Sequence, residues 1–232
     1  MNVLITGHRR GLGAALAALA ITRGERVYGL SRGLLDSPHP ALHQVQCDLA
    51  ELENIEPALN RLVPADVALD RVYLNAGVLG RIADLRDTLL SEIAAVMDIN
   101  VWANKLILDW LAARAVAPRR IVLVSSGAGV VGHHGWGAYA LSKAALNMLT
   151  QLYAHELPAT QLLAVAPGLV DTEMQASLRA VDGQSFPSVQ RLHAAYGSAA
   201  MPAPATVAAR ILAAEAQLAA LPSGSFVDLR SL

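Results

Sequence analysis

Short runs of β-branched and aliphatic residues alternate with longer helical stretches along the whole chain, and this alternation restricts the fold more than any other feature. Strand character recurs at residues 3–6, 26–30, 42–46, 72–75, 121–125, 162–166 and 226–229. Helical character fills residues 12–23, 49–62, 88–113, 138–157 and 206–218, the stretch 88–113 as one or two helices. Several strand runs are continuously apolar, as parallel strands covered on both faces must be. The pattern predicts an α/β fold, a doubly wound, Rossmann-type parallel sheet of about seven strands with helices on both faces. A single domain over residues 1–232 suits the length. One connection is unusual: residues 31–41, with Pro38 and Pro40, are too few for the ordinary crossover helix. A loop or a single turn is predicted there.

Hydrophobic residues make up 54% of the chain and charged residues 16%, which excludes a disordered chain and supplies a large core. A net charge of −1 offers no field for nucleic acid or an anionic membrane. A lone cysteine, Cys47, excludes an internal disulfide and a cysteine-based zinc site. The expectation is a soluble, cytoplasmic protein. Arg9 and Arg10 followed by apolar residues resemble a signal peptide, but the strand-like run before them and the glycines after them favour strand, loop and helix. The uncharged stretch 121–142 is long enough to span a bilayer. Its glycines, histidines and serines favour strand, loop and helix start instead.

Thr6-Gly7-His8-Arg9-Arg10-Gly11-Leu12-Gly13 lies between the first strand and the first helix. Glycines there let a phosphate approach the backbone, and a helix start presents free N–H groups to a pyrophosphate. The carboxylate that would favour NAD, about 20 residues beyond the glycines, is missing: residues 29–33 read Gly-Leu-Ser-Arg-Gly. Arg32 at the strand end and Arg10 in the loop suit a 2′-phosphate, so NADP(H) is expected over NAD(H).

Tyr139-Ala140-Leu141-Ser142-Lys143 places Tyr and Lys on one face of a helix start. Lowering a tyrosine from a pKa near ~10 to ~7 needs about 4 kcal/mol. An ammonium ~4 Å away supplies about that much at an effective dielectric of ~20, before the opposing desolvation term. The preceding strand ends at Ser125 and Ser126, where ligands bind in open α/β sheets, and Ser126 could bond a substrate oxygen beside Tyr139.

These features resemble the short-chain dehydrogenase/reductase family, in its compact single-domain form. The resemblance rests on the glycine loop, Asp48-Leu49, Asn75-Ala76-Gly77, Asn100, Ser126, Tyr139-x-x-x-Lys143, and Pro167-Gly168 with Thr172, in order over residues 6–172. It implies a catalytic set of Asn100, Ser126, Tyr139 and Lys143. Tyr139 would be the general acid in carbonyl reduction and the general base in alcohol oxidation. Lys143 would lower its pKa and bind the nicotinamide ribose, Ser126 would polarise the carbonyl, and Asn100 would hold a water in a proton relay. The implied NADP(H)-binding set is Thr6, Gly7, Arg9, Arg10, Gly11, Leu12, Gly13, Ser31, Arg32, Asp48, Leu49, Asn75, Ala76, Gly77, Tyr139, Lys143, Pro167, Gly168, Val170 and Thr172. The chain departs from the family pattern at Leu74, at Leu163 and in the short 31–41 connection.

His133, His134, Trp136 and Met174 are candidate substrate contacts, and residues 173–203 correspond to the family's substrate lid. No metal is expected, since no carboxylate or cysteine adjoins the histidine pair in sequence. Arg114, Arg119 and Arg120 read as a solvated turn. Helical stretches near Trp102–Leu111 and Ala144–Tyr153 are apolar on more than one face. Together with the resemblance this predicts a homodimer or homotetramer. The partner expected is a small carbonyl or alcohol substrate, interconverted by hydride transfer. Alternatives are a non-catalytic NADP-binding redox sensor and, among enzymes, a 3-ketoacyl-carrier reductase.

Overall fold

The computed structural model describes residues 1–36, 38–179, 181 and 186–232. In chain order the elements are β1 (Asn2–Thr6), α1 (Gly11–Thr22), β2 (Arg26–Ser31), β3 (Leu42–Gln46), α2 (Ile55–Leu62), β4 (Arg71–Leu74), α3 (Leu90–Met97), α4 (Ala103–Ala112), β5 (Arg120–Val124), α5 (Gly137–Glu156), β6 (Gln161–Ala166), α6 (Glu173–Arg179), α7 (Pro187–Ala195), α8 (Pro204–Ala213), α9 (Glu215–Ala219) and β7 (Ser225–Asp228). The strands form one seven-stranded parallel sheet in the order β3-β2-β1-β4-β5-β6-β7. The strand order reverses at β1, between β2 and β4, the point where ligands bind beyond the carboxyl ends of the strands in open α/β sheets.

Strand periodicity divides the core into two layers. Leu4, Leu30, Val72, Ile121 and Leu123 point to one face, under Ile55 and Leu59 of α2, Ile107 and Leu111 of α4, and Leu146 of α5. Val3, Ile5, Val27, Val122 and Leu163 point to the other, under Leu16 of α1 and Val207 and Ile211 of α8. Each fully buried aliphatic side chain of this kind contributes about 2 kcal/mol. Leu74 and Leu163, the family departures, are buried strand residues.

Residues 32–41 join β2 to β3 with no helix among the described residues; Ser37 lies outside them. The stretch 88–113 is two helices joined by a π turn over Asp98–Trp102 that contains Asn100. Such turns are frequent at functional sites. The stretch 206–218 is also two helices, and Pro204 opens the first at a position that needs no N–H donor. The uncharged stretch 121–142 is strand, loop and the start of α5. Among the described residues no helix is long and apolar enough to cross a membrane.

The basic cluster is not simply solvated. Arg114 stacks over Trp110 and donates to the Pro64 and Val67 carbonyls, while Arg120 is buried and donates to Gln161. Arg120 opens β5, so the sheet register draws it in.

Candidate active site

The glycine loop is stitched to the next strand of the sheet. Thr6 Oγ1, at the end of β1, accepts the backbone N–H groups of Asn75 and Ala76 at 2.9 and 3.0 Å, and Asn75 Nδ2 donates to the Thr6 carbonyl. Gly13 faces this junction, and any side chain on it would collide with the Gly7 carbonyl and the Asn75 amide. The start of α1 carries no side-chain cap, so the first amides behind Gly11 and Leu12 are left for an anion. Thr172 lies against Gly11, which brings the loop of Pro167, Gly168 and the buried Val170 over the glycine loop.

At the β2 and β3 ends, Arg32, Asp48 and Glu51 line a cavity of about 380 Å³. Asp48 is fixed by accepting the Ala50 N–H at 3.0 Å, and Leu49 is buried behind it. Of the two loop arginines, Arg9 is the one that lies against Gly33, immediately after Arg32. Arg10 instead pairs with Glu173 at the start of α6. Of the expected pair Arg10 and Arg32, Arg10 is turned to Glu173, while Arg9 reaches the residue that follows Arg32. Arg10 is also the N-cap of α1, with an extended backbone.

Tyr139 and Lys143 occupy the buried face of α5. Lys143 Nζ donates to the Val124 carbonyl at 2.8 Å and lies 5.6 Å from the centre of the Tyr139 ring. Ser126, just past β5, faces the Tyr139 hydroxyl and accepts the Ala128 N–H. The backbone around Gly77 passes close to Asn100 Oδ1 and Lys143 Nζ, so the second strand loop reaches the same point. Burial pushes the Lys143 ammonium down to about 8. Burial pushes the Tyr139 phenol up, and Ser126 offsets part of this. Lys143 was expected to pull Tyr139 down. In this site desolvation of the phenol prevails, and the ammonium is tied to a carbonyl rather than to the hydroxyl.

Asn100 is completely buried and fully used. Its Oδ1 accepts the Val78 N–H, and its Nδ2 donates to the Val78 carbonyl and to Ser142 Oγ. Its backbone carbonyl, opened by the π turn, accepts the Asn104 side-chain amide at 2.8 Å. Asn104 went unnoticed in the sequence, as did Asn147, which accepts the Ser125 hydroxyl. Both sit four helical residues from a motif position or opposite a strand end. An i,i+4 polar pair on an otherwise apolar helix was the available signal for Asn104.

Trp136 meets the Tyr139 ring edge-on at 6.0 Å, and His133 meets Trp136 in the same way. His134 is engaged elsewhere, by Asp84 at 2.5 Å and by the Phe186 ring. Buried Leu178, Leu192 and Met201 complete an apolar cluster around Tyr139 and Trp136. Met174, half-buried on α6, is not part of that cluster. Residues 180 and 182–185 of the expected lid lie outside the described residues. Among the described residues, no three His, Cys, Asp or Glu side chains group as metal ligands.

The comparisons with known proteins agree with this architecture. The family model of the short chain dehydrogenases matches residues 1–183. The chain is 31% identical to a benzil reductase of Bacillus subtilis that forms (S)-benzoin, over 90% of both chains. It is 30% identical to the 3-oxoacyl-acyl-carrier-protein reductase FabG of Aquifex aeolicus, covering 75% of this chain and 76% of that one. A short-chain dehydrogenase/reductase of Saccharomyces cerevisiae superposes with a TM-score of 0.84 at 24% identity, over 98% of this chain and 95% of that one. The glycine loop, the sheet order and the family model converge on one statement: this chain belongs to the short-chain dehydrogenase/reductase family of oxidoreductases.

Proposed function

We propose that the chain is an NADP(H)-dependent carbonyl reductase, or in reverse an alcohol dehydrogenase, for small to medium apolar substrates. The observation that carries this reading is the buried Tyr139, facing Ser126 and lying beside Lys143 on one helix face. When bound, the nicotinamide supplies or takes up the hydride. The protein supplies the proton and the orientation. Ser126 bonds the carbonyl oxygen and sets it within reach of the Tyr139 hydroxyl. A phenol held above its ordinary pKa stays protonated, which is the form that can donate to the forming alkoxide. Lys143, charged below about 8, stabilises the phenolate left behind. Asn100 holds the Val78 backbone and α5 in register around that pair.

The dinucleotide fits the uncapped start of α1, the tight packing at Gly13 and the cavity beside Arg32 and Asp48. Arg9 and Arg32 are the side chains proposed to meet a 2′-phosphate. Residues 173–203 are proposed as the substrate lid. Trp136, Leu178, Leu192 and Met201 give the wall beside Tyr139 an apolar, partly aromatic character, which suits substrates like that named for the Bacillus relative. Exposed Trp102, Leu141, Met148 and Leu152 on and near α4 and α5 support a homodimer or homotetramer. A monomeric mass by light scattering at micromolar concentration would overturn that part.

The test is NADPH consumption with a panel of diketones, aryl ketones, aldehydes, quinones and a 3-ketoacyl thioester, with NADH in parallel. Turnover with NADPH above NADH is expected, strongest with apolar diketones or ketones. Tyr139→Phe should cut kcat by about 10²–10⁴-fold while dinucleotide affinity stays within about threefold. Dinucleotide binding without turnover by the unaltered protein would point to a redox sensor instead.

A further inference from the structure

His8 sits directly after Gly7, only 1% exposed, with its ring flat against Gly29 of β2. A side chain at position 29 would come within 2.5 Å of that ring. The ring bridges two strands: Nε2 is 3.1 Å from Gln44 Oε1 on β3, and Nδ1 is 2.8 Å from Ser31 Oγ at the end of β2. Gln44 is itself held at two points, since its Oε1 accepts the Leu35 N–H at 3.0 Å and its Nε2 donates to the Leu35 carbonyl at 2.7 Å. Flipping the amide would set two donors and two acceptors face to face, so its orientation is determined. Oε1 can only accept, so the bond to Gln44 places the neutral ring's proton on Nε2, although the Leu30 carbonyl also faces the ring. In the neutral ring Nδ1 is then an acceptor, and the Ser31 hydroxyl must donate to it.

A hydroxyl has one proton to give. With that proton committed to His8, Ser31 Oγ can accept a hydrogen bond from a ribose 2′-hydroxyl. It has nothing to offer a 2′-phosphate dianion. We propose that His8 is a specificity-determining residue that, through Ser31, makes 2′-phosphate binding draw in one proton, whereas binding of a 2′-hydroxyl draws in none. In the protonated ring Nδ1–H donates to Ser31 Oγ, and the released hydroxyl proton turns to the phosphate. Both states keep the same contacts on Nδ1 and Nε2, so no heavy atom needs to move. The inference rests on the reading that the adenosine 2′-position of a dinucleotide lies at the β2 end.

The surroundings leave the ring free to respond. Burial lowers the His8 pKa, opposed by Gln44 and the Leu30 carbonyl. The charged neighbours are Arg9 against Gly33, Arg32 next to Ser31, and Arg10 held by Glu173, and none of them is a cause of the shift. Tyr28 and His43 stack with each other on the opposite face of the sheet. A phosphate dianion brought to Ser31 is thus the dominant new charge, and its sign raises the His8 pKa.

Isothermal titration calorimetry with NADP⁺ and with NAD⁺, in buffers of different ionisation enthalpy near pH ~7.5, counts the protons. That pH lies above the phosphate's own pKa of about 6. The expected result is net proton uptake with NADP⁺ and none with NAD⁺. The preference for NADP⁺ should fall by up to about tenfold as pH rises by two units, the weight of one charge-assisted hydrogen bond. His8→Asn should abolish the uptake and flatten the preference. Equal uptake in wild type and His8→Asn, or none in wild type, overturns the proposal. Nitrogen-15 NMR of the wild-type imidazole covers the case in which the variant does not fold. The free protein should show the Nε2–H tautomer, and NADP⁺ but not NAD⁺ should raise the His8 pKa. An Nδ1–H tautomer in the free protein overturns the inference and leaves the cofactor reading intact. NADP⁺ binding no tighter than NAD⁺ at every pH, with the Nε2–H tautomer present, overturns the NADP(H) reading and takes this inference with it.

Discussion

The two ends of the sheet both bury charge, and they treat it in opposite ways. At the amino ends of the strands, Arg71 of β4 lies between Glu25 and Glu215, and Arg23 reaches the same two carboxylates. Burial alone would lower the Arg71 guanidinium, but Tyr73, Glu25 and Glu215 together hold it above its ordinary value. At the carboxyl ends, Lys143 is equally buried, yet it donates to the neutral Val124 carbonyl and pairs with no carboxylate among the described residues, and burial alone pushes it down to about 8. The α1 amides there are uncapped as well. Charge neutralised by the chain's own residues is structural. Charge and dipoles left without such neutralisation mark where a ligand completes the electrostatics.

Substitutions at the two ends should separate these roles. Lys143→Met should lower kcat by about 10²–10³-fold and yet raise Tm by about 5 °C, because it removes an uncompensated buried charge. A fall in Tm would put Lys143 on the structural side. Arg71→Met should do the reverse: it leaves the buried Glu25 with only the half-exposed Arg23, costs about 3 kcal/mol and lowers Tm by roughly 9 °C. Affinity of the folded protein for NADPH should be unchanged, and a parallel loss of binding would break the contrast.

pH sharpens it further. Carbonyl reduction should decline as pH rises through about 8, where Lys143 gives up its proton. The folded pKa lies below the ordinary value of 10.5, so the folded state binds fewer protons between these limits. Wild-type stability should therefore rise relative to Lys143→Met as pH climbs from about 8 towards 10.5, read from urea midpoints. The smallest effect belongs to the exposed Arg10–Glu173 pair. Arg10→Ala should change stability by less than about 0.5 kcal/mol and weaken NADPH binding less than Arg9→Ala or Arg32→Ala. The opposite order, measured by fluorescence titration, would restore Arg10 as the phosphate contact.

Much of the fold was legible because its signals are local. Buried parallel strands announce themselves as short apolar runs, and the missing crossover helix between β2 and β3 follows from counting residues. The i,i+4 spacing of Tyr139 and Lys143 follows from helix geometry alone. What escaped was non-local. Gln44 is 36 residues from His8, and nothing near either residue signals their bond. Arg10 is turned to Glu173 on α6 while Arg9 reaches Gly33, and Arg120 is buried by the register of β5.

The sequence by itself determined the order of elements, the place of the glycine loop and the shared helix face of Tyr139 and Lys143, since periodicity and spacing are properties of neighbouring residues. Only the tertiary structure decided the protonation chemistry. The raised Tyr139, the lowered Lys143 and the Nε2 proton of His8 arise from desolvation and from partners on separate strands and helices, which come together only when the sheet is assembled.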